Sequence, residues 1–226
     1  MTSAFVRLLS VDQRESVVVE SPYARFNLRR NPFGELTRQE RAELAVVDAK
    51  QWLDSLLGET AAMQFIGEKG EGKTTHLLAI ERVLPNTIYV YLPEDGLQPP
   101  IPRQRPLIID EAQRLGYLNR RRIFKLGGPL ILGTHRDFTG ELRRSGLHVV
   151  TVDVAEDPSP EQLARILNKR IEASRLTRSS LPHIEVSYAK RLQRQWGTNI
   201  RAIELHLYDQ FQEAAQKGQS WPPLVI

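Results

Sequence analysis

Cysteine is absent from the 226 residues and methionine occurs only twice. That excludes a disulfide framework, a thiolate metal site and a thiol nucleophile, and it fits a reducing compartment. Long hydrophobic runs are also missing: none approaches the length needed to span a bilayer, and the N-terminus lacks the unbroken apolar core of a secretory signal. The expectation is a cytoplasmic chain without a membrane span. Neither sign of charge dominates, with 31 Lys and Arg against 27 Asp and Glu for a net charge of +4. The local runs say more than the total. "RFNLRRNPFG" (25–34), "NRRRIFK" (119–125) and "ELRRSG" (141–146) concentrate arginine, as a solvated face or as a contact for DNA phosphates.

What is present is enough for a core, since 41% of the residues are hydrophobic. The length suits one large domain or a core with a small lid. "SVVVES" (16–21) reads as a strand within an N-terminal arm that extends to residue 30. Thr37 and Glu40 then have capping-box spacing, and Leu44, Val47, Trp52, Leu56 and Leu57 predict a helix that stops at Gly58. "AMQFIG", "NTIYVYLP", "RPLIIDEA", "GGPLILGTH" and "LHVVTVDV" follow as short, almost wholly apolar runs separated by helical or loop segments. Such runs are strands covered on both faces, so residues 31–157 predict a doubly wound parallel α/β core. The connection "EDGLQPPIPRQR" (94–105) is too short and proline-rich for a good helix and predicts an extended crossover. From 158 to 218 the pattern turns helical, opening with Ser159 as N-cap, Pro160 in the first helical position and Gln162 at the capping-box position. Two further helices are expected near 186–196 and 198–215. Residues 219–226 form a tail that Trp221 could anchor.

Between the first strand and the next helix stands "FIGEKGEGKTTHLL" (65–78). Gly67, Gly72, Lys73 and Thr74 match G-x-x-x-x-G-K-[ST], with Gly70 as an extra glycine in the loop. Glycines let backbone amides turn inward around phosphate oxygens, the helix N-terminus adds its dipole, and the lysine reaches the outer phosphates. Gly67, Glu68, Lys69, Gly70, Glu71, Gly72, Lys73, Thr74 and Thr75 are therefore the candidate contacts for a nucleoside triphosphate, with the Thr74 hydroxyl offered to Mg²⁺. A second element supports this. "PLIIDEAQ" (106–113) ends a buried strand with Asp110 and Glu111 at the sheet edge where such folds place their ligands. Asp110 is the candidate for the Mg²⁺ shell, and Glu111 for activating a water.

Gly67 through Thr74 resembles a Walker A motif and "LIIDE" a Walker B motif, and "IIDEAQ" is similar to the form in AAA+ ATPases of the transposition-regulator and secretion-ATPase type. "GGPLILGTH" resembles the sensor 1 strand of that family, which implies a catalytic Thr134 with His135 beside it. "WGTNIRAIE" resembles the start of its sensor 2 helix, which implies that Arg201 reaches the γ-phosphate from a helical lid. "NPFG" is similar to the segment bordering adenine, which implies contacts from Asn31, Pro32 and Phe33. The resemblance further implies an arginine finger from Arg143 or Arg144 and an ATP-dependent oligomer or hetero-complex. Two departures stand out: the short second crossover, and the lack of a DNA-binding winged helix after the lid. The implied function is a Mg²⁺-ATPase, slow and stimulated by its partner, acting as a switch or assembly factor on DNA or a protein. A non-hydrolysing ATP-binding accessory or signalling subunit and a small-molecule phosphotransferase are the alternatives.

Overall fold

The computed structural model describes residues 21–154, 158–197 and 199–219, so most of the strand-like run at 16–21 and the tail with Trp221 lie outside the described residues. The first helix, α1 (Arg38–Leu44), begins as its spacing predicts, with Thr37 and Glu40 forming a reciprocal capping box. It is much shorter than the apolar stripe suggested. After Leu44 the chain extends through the β-branched pair Val46 and Val47, and the Asp48 carboxylate caps a single 3₁₀ turn, Ala49–Trp52, by accepting from the Lys50 amide at 3.2 Å. Val47 and Trp52 still reach the core, the first from extended chain and the second from the end of that turn.

Five strands follow: β1 (Ala61–Ile66), β2 (Ile88–Tyr91), β3 (Leu107–Asp110), β4 (Leu130–Thr134) and β5 (His148–Asp153). All neighbours pair in parallel, in the order β2-β3-β4-β1-β5. Every residue of β3 and β4 is buried, the reason their sequences are apolar up to the polar residues that end them, Asp110 and Thr134. Met63, Phe65, Ile108 and Ile131 pack on one face against Leu77 and Ile80 of α2 (Lys73–Val83). Ala62, Ile109 and Leu132 pack on the other face against Phe124 of α3 (Tyr117–Phe124) and Leu142 of α4 (Thr139–Arg144). The crossover from β2 to β3 contains no helix, as its prolines predicted, and Leu92 and Ile101 dock on the α3 and α4 side. Because the chain leaves β1 towards β2 and later returns past it to β5, the strand order reverses at β1. Open α/β sheets place their ligands at the strand ends of such a point.

The last helices are α5 (Pro160–Ala173), α6 (Val186–Trp196) and α7 (Ile200–Gln216). Ser159 accepts from the Gln162 amide at 3.2 Å, with Pro160 in the first turn. Asn199 caps α7; Thr198, where that helix was expected to begin, lies outside the described residues. These helices share one apolar cluster with Phe26, Leu28 and Phe33, which precede the sheet in sequence. Leu28 also bridges Arg175, and Tyr23 donates to Gln212. Helix α1 is tied to both parts. Lys169 of α5 donates to the carbonyls of Glu43 and Ala45 at 3.0 and 2.9 Å, and Arg82 of α2 donates to that of Ala42 at 2.9 Å.

Candidate nucleotide site

The glycine loop leaves β1 at its C-terminal end and delivers the chain directly into α2. Gly70 and Gly72 adopt φ of +101° and +98°, a region that L side chains rarely adopt, so the turn depends on glycine at both positions. Lys73 is 5% exposed, and its ammonium folds back over the loop to donate to the carbonyls of Gly67 and Glu68 at 2.8 and 2.7 Å. Burial holds its pKa below the ordinary lysine range, while the carboxylates of Glu111, Asp110, Glu71 and Glu68 pull it back up. A lysine this desolvated and ringed by carboxylates is poised to exchange loop carbonyls for phosphate oxygens. Glu68 and Lys69 are exposed at the tip of the loop, and Thr75 is half-buried in the first turn of α2. The Glu71 carboxylate turns inward and accepts from the Glu68 amide.

Asp110 is completely buried at the end of β3. Its Oδ2 accepts from the hydroxyls of Thr74 and Tyr89, both at 2.7 Å, and its Oδ1 accepts from the Glu111 amide at 3.0 Å. Thr74 and Asp110, far apart in sequence, therefore meet as a pair. Hydroxyl and carboxylate are hard oxygen donors that suit Mg²⁺. No cluster of three or more His, Cys, Asp or Glu side chains among the described residues could hold an ion alone, so an ion at this pair would draw its other ligands from phosphate and water. Gly133 on β4 makes room for the arrangement, since a Cβ there would lie 2.7 Å from Asp110 Oδ1 and from Leu77.

Glu111 occupies the left-handed region at φ 63°. Its Oε2 accepts from Gln113 at 2.8 Å and pairs with Arg114 at 3.1 Å, while His135 Nε2 stands 3.7 Å away. The other ring nitrogen of His135 is 3.5 Å from Glu68 in the loop. Thr134 is buried beside the loop, its carbonyl accepting from the Gly67 amide at 3.3 Å. Its hydroxyl is taken up by Arg136, donating to the carbonyl and accepting from the amide at 2.9 Å each.

The start of α7 lies over the loop. A Cβ on Gly70 would come within 3.1 Å of Asn199 and 3.4 Å of the Arg201 side chain, which is itself exposed. Asn31, Pro32 and Phe33 are fixed to α5 and α7. Asn31 donates to the Tyr208 carbonyl at 2.9 Å, the Pro32 carbonyl accepts from Arg170 at 3.0 Å, and the Phe33 ring lies 5.4 Å from Phe211. Arg143 and Arg144 are exposed in the last turn of α4, which runs away from the end of β4 towards the start of β5. They therefore lie at the sheet edge opposite the loop.

Tyr89, Gln113 and Arg114 were not evident as site residues from the sequence. Tyr89 shares a face of β2 with Tyr91, whose register partner is Asp110, a pairing that only the folded sheet reveals.

No family model matches the sequence, and no curated protein matches it. Among solved structures, the chain is similar to Cdc6p from Pyrobaculum aerophilum, with a TM-score of 0.51 and 15% identity over 88% of this chain and 68% of that one. It is also similar to the RuvB Holliday junction branch migration motor of Thermotoga maritima, with a TM-score of 0.50 and 18% identity over 84% of this chain and 66% of that one. Both are AAA+ P-loop ATPases, and at these identities the likeness is one of fold. A parallel sheet ordered β2-β3-β4-β1-β5, with a glycine loop after β1 and helices on both faces, is a P-loop NTPase α/β architecture.

Proposed function

We propose that this chain binds Mg²⁺-ATP and hydrolyses it slowly, as a nucleotide-dependent switch or assembly factor acting on DNA or a protein. The observation that carries the reading is the Thr74 hydroxyl, 2.7 Å from the Asp110 carboxylate, beside a loop into which Lys73 is folded. Thr74 and Asp110 would hold Mg²⁺, which when bound would supply positive charge against the phosphates. The chain's own residues supply the rest. Lys73 binds the outer phosphates, Thr74 and Asp110 orient the ion, and Glu111 takes a proton from the attacking water. Arg201, beside Gly70, is suited to report whether a γ-phosphate is present.

Slow turnover follows from the contacts of Glu111, whose Oε2 is already shared between Gln113 and Arg114. A carboxylate so engaged is a poor base until those contacts loosen. The same observation gives some support to a passive ATP-binding subunit. Two variants separate the readings. Lys73→Ala should weaken ATP binding on the order of 100-fold while the protein stays folded, since a charge-assisted contact is lost and the ammonium otherwise bonds only to carbonyls of the loop. Glu111→Gln should still bind ATP but release phosphate about 100-fold more slowly. Equal and near-background phosphate release from wild type and Glu111→Gln would favour the passive subunit. Unchanged ATP affinity in a folded Lys73→Ala protein would remove the site altogether.

The partner side is supported by α3. Tyr117, Leu118, Arg121, Arg122 and Lys125 are exposed on and just beyond this helix at i, i+4 spacings, and the helix contains no acidic residue. Cations interleaved with an exposed ring suit a nucleic-acid strand. Arg120 is excluded from such a role, because it is buried against Glu141.

A further inference from the structure

We propose that Tyr89 is a positioning residue for the divalent cation, holding Asp110 in the orientation that lets Thr74 and Asp110 act as a pair. The proposal rests on the reading of the loop as a Mg²⁺-nucleotide site. Asp110 has no exposed surface, and both of its oxygens are engaged: Oδ1 by the Glu111 amide at 3.0 Å, Oδ2 by Thr74 and Tyr89 at 2.7 Å each. The amide fixes one oxygen, but rotation about that anchor would still move the other. Tyr89 removes this freedom from the neighbouring strand. Its hydroxyl holds Oδ2 in place whether or not Thr74 turns its lone pairs towards a metal.

The packing does not account for a hydroxyl here. Tyr89 lies against the apolar cluster between the sheet and α2, where a phenylalanine ring would bury the same carbons. A polar tip in that cluster has to be satisfied, and it is satisfied on the metal-orienting carboxylate. The ring is also held from its other side. The Arg38 guanidinium sits 4.4 Å from its centroid and is itself tied to Glu81 of α2 at 2.5 Å. Tyr89 is thus braced between α1 and Asp110. Partners that orient a metal's ligands typically change metal affinity 10- to 100-fold when removed.

The test uses the full chain with ADP as probe and thermal melting as readout. Nucleotide binding is measured first in a chelator, and Mg²⁺ is then titrated at saturating ADP. In Tyr89→Phe the Mg²⁺ concentration that gives half of the metal-dependent rise in melting temperature should increase about tenfold. The metal-free ADP affinity should change far less, a split that general loosening of the fold would not produce. Arg38→Ala, at a mostly exposed position, loosens the ring without deleting the hydroxyl and should shift the Mg²⁺ midpoint in the same direction by less. This variant decides the matter if Tyr89→Phe does not fold. An unchanged Mg²⁺ midpoint in folded Tyr89→Phe, or in Arg38→Ala where that is the deciding variant, overturns the proposal. A wild type that binds no ADP with or without Mg²⁺ overturns the nucleotide site itself, and the positioning role with it.

Discussion

His76 stands in the first turns of α2 with its ring between Trp52 and Phe65, centroids 5.8 and 5.2 Å away, and its Nδ1 3.0 Å from the Gly72 carbonyl. Burial holds its pKa below the ordinary value of 6.5, so the fold keeps the imidazole neutral. In the unfolded chain the ordinary value returns. Below it the unfolded state takes up a proton that the folded state refuses, and stability therefore falls as pH drops from 6.5 to the folded pKa. Urea denaturation at about pH 7.5 and about pH 5.5 should show this loss in wild type and a smaller one in His76→Phe. Equal losses would mean that other groups govern the acid limb. That Lys73, Thr74 and Asp110 come together was legible in the sequence, because the motif spacing sets them at the end of one strand and the start of the helix beside it. Tyr89 and Arg114 were not, because their contacts depend on strand register and on the left-handed turn at Glu111.

At the scale of elements, all five strands and the last helices could be read from apolar runs and caps, whereas α1 could not be delimited. Of its stripe, Val47, Trp52 and Leu56 reach the core while Leu57 is exposed, and periodicity does not distinguish one continuous helix from 3₁₀ turns and extended chain that land on the same core. Charge runs carry the same ambiguity. "NRRR" appears uniform in sequence, yet Arg120 donates to Glu141 at 2.7 and 3.1 Å and to the Leu115 carbonyl at 3.0 Å, while Arg121 and Arg122 face solvent. The two kinds of arginine should behave oppositely. Arg121→Glu, Arg122→Glu and Lys125→Glu together should weaken single-stranded nucleic-acid binding without lowering the melting temperature, and flatten its salt dependence by about 2 units. Arg120→Ala should cost about 1–3 kcal/mol of stability, since it strands a carbonyl and a carboxylate. Binding titrations at several salt concentrations, beside melts of both variants, check the assignment. Undiminished affinity in the triple variant would leave a protein as the better partner.

For the whole molecule, the position of α4 has the larger consequence. Arg143 and Arg144 are exposed in its last turn, and as arginine fingers they would complete the nucleotide site of a second subunit. Loss of both should lower turnover with ATP binding intact, since a finger in trans acts on charge that develops in the transition state. A mixture of Lys73→Ala chains with Arg143→Ala/Arg144→Ala chains should then recover phosphate release that neither shows alone. A monomer in ATP by light scattering, with no recovery in the mixture, would leave a switch that works within one chain.

The lid cluster also bears on the order in which the molecule can be built. Phe26 and Phe33 lie 6.1 and 5.4 Å from Phe211 and are nearly inaccessible in the finished fold. During synthesis, however, the segment that covers them leaves the ribosome only after every strand of the sheet has emerged. At ordinary elongation rates of about 5–20 residues per second, these rings wait roughly ten seconds or more for their partner. The nascent chain thus carries an exposed aromatic surface beside an arginine-rich stretch while its sheet is already able to close, and chaperone contact during translation should concentrate on residues 23–33 and end once residue 211 has cleared the exit tunnel.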